Sequence, residues 1–241
     1  MSIALNYQLS IFGNYSISPS PETVTELMSR INTATSEIFL PNIINSQQVE
    51  VPSNRIITIS NLGFVTQNQK FSISILNERI DVNYNKVIED SIDIDAFYDL
   101  AEKALNAIMS YSKLDSNRLA ANIQMVCDLV DFENLRSLGH QLITKAKYYD
   151  GKVLCEWSNR VNSQTEIDIL DNAEGINVIT EISSAQSVQG KPAVLYHIDI
   201  NTLPQNQNMR FSSNALHPFI EKIMPIAKEI IVDVERLITC E

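Results

Sequence analysis

At 241 residues and 44% apolar content, the chain can form one large domain or two small ones around a sizeable core. Its 29 acidic residues against 18 basic ones give a net charge of −11, which disfavours a nucleic-acid backbone as ligand. No apolar run approaches the roughly 20 residues needed to span a bilayer, and no Lys or Arg precedes Arg30, so a signal peptide's basic start is missing and a soluble, cytoplasmic protein is expected.

The first segment alternates. Ile3, Leu5, Tyr7, Leu9 and Ile11 fall on one face, and Asn6, Gln8 and Ser10 on the other, the pattern of a half-buried strand. A helix follows, with Ser20 as N-cap, Pro21 in its first turn and Val24, Leu27, Met28 and Ile31 as its apolar stripe. "LPNIINSQQVEVPSN" reads as a loop with a short edge strand. Strand-like pieces come next: "RIITISN", "GFVTQ" and "KFSISILNERIDVNY", the last turning at "LNER". Phe97, Leu100, Ala101, Ala104, Leu105, Ile108 and Met109 mark a helix capped by Asp93 or Asp95. "RLAANIQMVCDLVD" is a long strand with Asn122, Gln124 and Asp128 on its polar face.

"FENLRSLGHQLITKA" predicts a short helix. Val153, Cys155, Trp157 and Val161 then predict a strand by alternation. "TEIDILDNAEG" is a strand and turn, "INVITEIS" a strand, "VQGKP" a turn and "AVLYHIDIN" a strand. The last helix, roughly Asn214 to Ile238, carries an internal Pro225 that should kink it. Cys127 and Cys155 look like small core residues; together with Cys240 they form no C-x-x-C, which fits a reducing compartment.

Strands apolar on one face only are the mark of an antiparallel sheet, so the fold class expected is α+β, with helices packed on one face of antiparallel sheets. "KFSISILNERIDVNY" followed by "DAFYDLAEKALNAI" is echoed about 120 residues on by "KPAVLYHIDIN" followed by "NALHPFIEKIMPIA". The echo suggests two similar α+β halves, 1–132 and 133–241, or one continuous domain.

The chemistry-bearing signatures are mostly missing. The glycines are too dispersed for a phosphate or dinucleotide loop, there is no G-x-S-x-G and no H-E-x-x-H, and His140, His197 and His217 are scattered. No cofactor is expected. Same-face strand residues two apart lie about 6–7 Å from each other, so His197 and Asp199, joined by Glu181 and Glu156 from neighbouring strands, could bridge one cation or water. The favoured reading is that these groups are the hydrated outer face of a half-buried sheet. "EDSIDIDAFYD", with Glu89, Asp90, Asp93, Asp95 and Asp99, lacks the order of a calcium loop, and carboxylates there complement a helix start. Trp157 reads as core in preference to a ligand-stacking ring. Tyr148 and Tyr149, beside Lys145, Lys147 and Lys152, read as the shoulder of a turn.

The order of "KFSISILNERIDVNY", "RLAANIQMVCDLVD" and "LYHIDINTL", with helices before and after, resembles a sporadically distributed bacterial and phage-borne family of about 250 residues and unknown function. That resemblance implies a fold and a setting in mobile or defence-linked genes. It brings no activity. The expectation from the residues is a non-catalytic interaction or accessory protein that binds a partner protein or forms a homo-oligomer, as an inhibitor or antitoxin-like component of a conflict system. The alternative is a metal-assisted hydrolase or small-ligand-binding enzyme using His197 and Asp199.

Overall fold

The computed structural model describes residues 2–50, 52, 55–86, 91–128, 131–142, 147–149, 151–187 and 189–239, with side chains at 46–50, 55, 57, 147 and 239 excepted. In chain order the elements are β1 (Ile3–Phe12), α1 (Pro21–Thr35), β2 (Phe39–Glu50), β3 (Arg55–Thr66), β4 (Phe71–Ile75), β5 (Arg79–Asn85), α2 (Ile94–Ser112), β6 (Arg118–Asp128), α3 (Phe132–Leu142), β7 (Ser158–Ile169), β8 (Asn172–Gln186), β9 (Pro192–Thr202) and α4 (Leu216–Thr239). The strands form one sheet in the order β2-β3-β4-β5-β1-β6-β9-β8-β7, and every pairing is antiparallel. The α+β class and the single-faced strands follow from the same alternation that predicts them.

The sheet has a repeating plan. A strand, a helix, a meander and a helix (β1 to α2) are followed by another strand, helix, meander and helix (β6 to α4). In both runs the last strand of the meander returns to the first: β5 pairs with β1, and β9 with β6. The two runs join where β1 pairs with β6, so the sheet is continuous across them.

Alternate residues put Tyr7, Leu9, Ile11, Val82, Tyr84, Leu119, Ala121, Ile123, Tyr196, Ile198 and Ile200 into one core with Phe97, Ala101, Leu105, Ile108, Phe219, Ile223 and Ala227 from α2 and α4. The helices thus dock on one face, where burial of aliphatic and aromatic side chains drives assembly. Tyr98 of α2 fixes that docking from below: its hydroxyl lies 3.4 Å from the carbonyl oxygen of Gln8 and 3.3 Å from that of Asn122. Full burial pushes its ionisation above the ordinary tyrosine range.

Local chemistry sets the helix ends. The Thr23 N–H donates to Ser20 Oγ at 3.2 Å, and Pro21 opens α1. Of the two aspartates that could cap α2, it is Asp93 whose carboxylate accepts from the N–H groups of Asp95 and Ala96. Ser36 and Lys113 close α1 and α2 in the left-handed conformation, each donating its N–H to a carbonyl of the last turn. α4 runs on through Pro225 as one helix.

Three expectations need correction. The segment expected as a loop with a short edge strand is β2, twelve residues long, paired along its length with β3. Pro41 is tolerated there because an edge strand has one side on which no ladder donor is needed. The two pieces "RIITISN" and "GFVTQ" are a single strand, β3. Gly63 does not break it. A Cβ at that position would lie 2.8 Å from Ile44 Cδ1 and 3.0 Å from the Ile73 carbonyl oxygen, so glycine permits close packing of neighbours. Finally, Val153, Cys155, Trp157 and Val161 do not line a strand face: β7 starts at Ser158, and Val153, Cys155 and Val161 are exposed while Trp157 is buried. Alternation over so short a stretch carried no information about which residues α3 would cover. Cys127 is buried as expected, and Cys240 lies outside the described residues.

Candidate functional site

The face of the sheet opposite the helices is polar at its centre, where β1 meets β6, and carries apolar residues such as Leu40 and Val65 toward β2 and β3. Asn6 stands opposite Gln124, and Gln8 opposite Asn122. Both strands carry the same short pattern there, "NYQ" at 6–8 and "NIQ" at 122–124. Because the strands are antiparallel, the two patterns bring four carboxamides together around the seam. With Glu181, Ser183, Leu195 and His197 they line a trough of about 370 Å³.

The register extends this polarity outward. Asn83 and Ser72 continue the row of Gln8 on one side, while Asp199 continues the row of Asn122 on the other. One row nearer the strand end, Gln164 Nε2 donates to Asn177 Oδ1 at 3.0 Å, Asn177 Nδ2 to Asn201 Oδ1 at 3.2 Å, and Asn201 Nδ2 to Asp199 Oδ1 at 2.9 Å. This relay crosses β7, β8 and β9 and ends on a carboxylate. Asn177 and Asn201 are buried, and the relay satisfies amide groups that would otherwise be costly to bury.

On the other flank Asp81 is 3% exposed. It accepts from Ser10 Oγ at 2.6 Å and pairs with Arg79 Nε at 2.8 Å. Burial raises its carboxyl pKa, and the Ser10 hydrogen bond and the Arg79 charge partly offset the rise. Next to it Phe12 lies under Arg118, whose guanidinium carbon is 4.5 Å from the ring centroid; Arg79 is 5.9 Å from the same ring.

His197 and Asp199 do lie on this open face, both half-buried. His197 Nε2 is 3.0 Å from Asn122 Oδ1, and in the strand register His197 stands opposite Glu181. Glu181 in turn accepts from Ser158 Oγ at 2.9 Å. Asp199 is in the next row, held by Asn201. Glu156 lies elsewhere: with Leu135, Cys155, Trp157 and Ser184 it lines a separate cavity of about 720 Å³ beside α3. Of the four residues, then, His197 and Glu181 are juxtaposed, Asp199 is close by, and Glu156 is apart. Among the described residues no three His, Cys, Asp or Glu side chains are grouped to hold a metal ion.

The other sequence candidates have structural partners. Trp157 Nε1 donates to the Leu135 carbonyl at 3.2 Å, and its ring packs so closely on α3 that a Cβ at Gly139 would lie 2.6 Å from it. Asp93 is a helix cap, Asp95 pairs with Lys228 at 2.6 Å, and Asp99 pairs with Lys103 at 2.6 Å; Glu89 and Asp90 lie outside the described residues. Tyr148 and Tyr149 sit on a short 3-10 turn, edge to face at 5.2 Å, with Lys152 Nζ 4.6 Å from the Tyr148 ring; Lys145 lies outside the described residues. His140 Nε2 is 3.2 Å from the Lys152 carbonyl oxygen, and His217 pairs with Glu102 at 3.0 Å.

The convergence of the four carboxamides was not read from the sequence. The repeated N-h-Q, where h is apolar, carried a signal for it, but the signal acquires meaning only once β1 and β6 are neighbours. No helix among the described residues is long and apolar enough to cross a membrane. No protein-family model matches the chain, and no curated protein or solved structure matches it.

Proposed function

We propose that this chain is a non-catalytic interaction protein that presents the helix-free face of its sheet to a partner protein. The observation that carries this reading is the cluster of Asn6, Gln8, Asn122 and Gln124 at the seam of the sheet, flanked by serines and further amides. A carboxamide both donates and accepts, so such a face can meet the mixed donors and acceptors of another protein surface without demanding one charge sign. In the trough Ser183 Oγ donates to the Leu195 carbonyl at 3.4 Å while His197 Nε2 meets Asn122 Oδ1 at 3.0 Å, and among the described residues no three His, Cys, Asp or Glu side chains are grouped to hold a metal ion.

The net charge of −11 favours a basic partner, whose nucleic-acid-binding surface the chain could mask. An inhibitory or antitoxin-like role in a bacterial or phage conflict system is consistent with that reading and with the family resemblance. The test is affinity capture from the native host with wild type and with Asn122→Arg, which alters the centre of the face. Capture of one protein by wild type and its loss with the variant supports the reading. Equal capture by both removes the open face from it.

A second reading keeps His197 and Glu181 as the core of a metal-assisted or small-ligand site, because they face one another across β8 and β9 at the edge of the trough. Its test is binding of a divalent ion to wild type and its loss in His197→Ala.

A further inference from the structure

The two edges of the sheet are unlike. β2, at one end, carries Pro41, a common guard against edge-to-edge pairing. β7, at the other, has no proline and no lysine in its twelve residues, and it pairs with β8 without a register shift from Ser158 to Ile169. Among the described residues no strand lies beyond it, so its outer N–H and C=O groups form a long regular template. Exposure extends to its side chains: nine of the twelve β7 residues are exposed, including Val161 at 56% on the side of the sheet where the helices lie, while Ile167 on that side is half-buried.

We propose that a second copy of this chain adds to β7 edge to edge, antiparallel, about a two-fold axis through Gln164. The charge pattern of the strand fits that occupant and that register. With Gln164 opposite its own copy, Arg160 falls opposite Asp168 of the second chain, and the symmetry makes the pair twice. Val161 falls opposite Ile167, Asn162 opposite Glu166, and Ser163 opposite Thr165. Arg160 and Asp168 share the open face, and Val161 and Ile167 share the helix side, so opposite charges meet on one side of the joined sheet and apolar groups on the other.

The neighbouring registers do less. Centring on Ser163 sets Arg160 against Glu166 but Val161 against Thr165. Centring on Thr165 sets Val161 against Ile169 but leaves Asn162 against Asp168. Only the register through Gln164 matches both charge and apolarity. Within a chain of net charge −11, Arg160 is the one cation of β7, facing an edge that also bears Glu166 and Asp168. Joining two such edges therefore brings each arginine to the acidic end of the other strand.

This interface is separate from the open-face reading above and stands without it. Light scattering of the full chain tests it. Wild type is expected at twice the chain mass of 27.1 kDa. Arg160→Asp or Asp168→Arg alone places like charges opposite one another at two symmetric points and should raise the dimer dissociation constant about tenfold or more. The double variant Arg160→Asp with Asp168→Arg restores the opposite pairing and should return it to within about threefold of wild type. Both side chains are exposed, and unchanged circular dichroism checks that the fold persists. A wild-type monomer at every loading overturns the proposal, as does a dimer indifferent to the single reversals or one the double variant fails to restore. The monomeric variants leave Asn6, Gln8, Asn122 and Gln124 at the seam unchanged, so partner capture through the seam can be scored on them separately.

Discussion

His197 Nε2 lies 3.0 Å from Oδ1 of Asn122, a neutral amide of the neighbouring strand, while the Asp199 carboxylate two residues on is held by Asn201. The imidazole and the carboxylate are thus engaged by different partners in different rows of the sheet. Such an arrangement orients His197 across the β6–β9 seam without preparing it to share a cation with Asp199.

From this relationship, added divalent ions should leave the melting midpoint unchanged, because a ligand that binds only the folded state must raise it. His197→Ala should cost no more than about 1.5 kcal/mol, the usual net worth of one hydrogen bond. Thermal unfolding with and without zinc or manganese measures the first effect, and urea unfolding the second. A midpoint that rises with either metal in wild type, and not in His197→Ala, would favour the metal reading.

The amide relay makes a sharper claim on stability. Asn201→Ala removes the acceptor of Asn177 Nδ2 and the donor to Asp199 Oδ1 in one change, at a position 2% exposed. Leaving a buried donor and a carboxylate oxygen without their partners should cost about 1–3 kcal/mol. Asn162→Ala, on the same face but exposed in β7, should cost under about 0.5 kcal/mol. Urea midpoints of the two variants decide the matter; equal costs would mean that the relay contributes nothing beyond surface polarity.

Asp81 gives a pH dependence with a definite sign. Its pKa is raised in the folded state by burial, so folding disfavours its ionised form. No penalty exists when both states are protonated, below the ordinary aspartate value of about 3.9. The penalty develops as pH rises from there and is complete above the raised folded value, so stability from this group falls across that window. Asp81→Asn lacks the titration and keeps an acceptor for Ser10. The stability of wild type relative to Asp81→Asn should therefore decline as pH rises from about 4 toward neutrality. Urea unfolding of both proteins across that range checks it; a relative stability that increases with pH would mean that Arg79 outweighs desolvation.

Much of the architecture was legible because its signals are local. The alternation in "LNYQLSI" and "NIQMVC" marks strands buried on one side, and Ser20-Pro21 and Asp93 mark helix starts. What the sequence left open depends on pairing across long separations. Asn6 and Gln124 are separated by more than a hundred residues, and only the β1–β6 register makes them neighbours. Trp157 looked like a strand residue because the apolar alternation around it said nothing of α3. Its burial follows from α3 crossing close over it at Gly139, a contact that no periodicity encodes.

Mapping the captured partner on the sheet tests the central claim most directly. Amide hydrogen exchange of this chain, alone and in the complex it forms in its native host, reports which backbone groups the partner covers. The account predicts slowed exchange in the open-face strands around the β1–β6 seam, with capture abolished in Asn122→Arg. Protection confined to the outer surfaces of α1 and α2, with capture unaffected in Asn122→Arg, would contradict it.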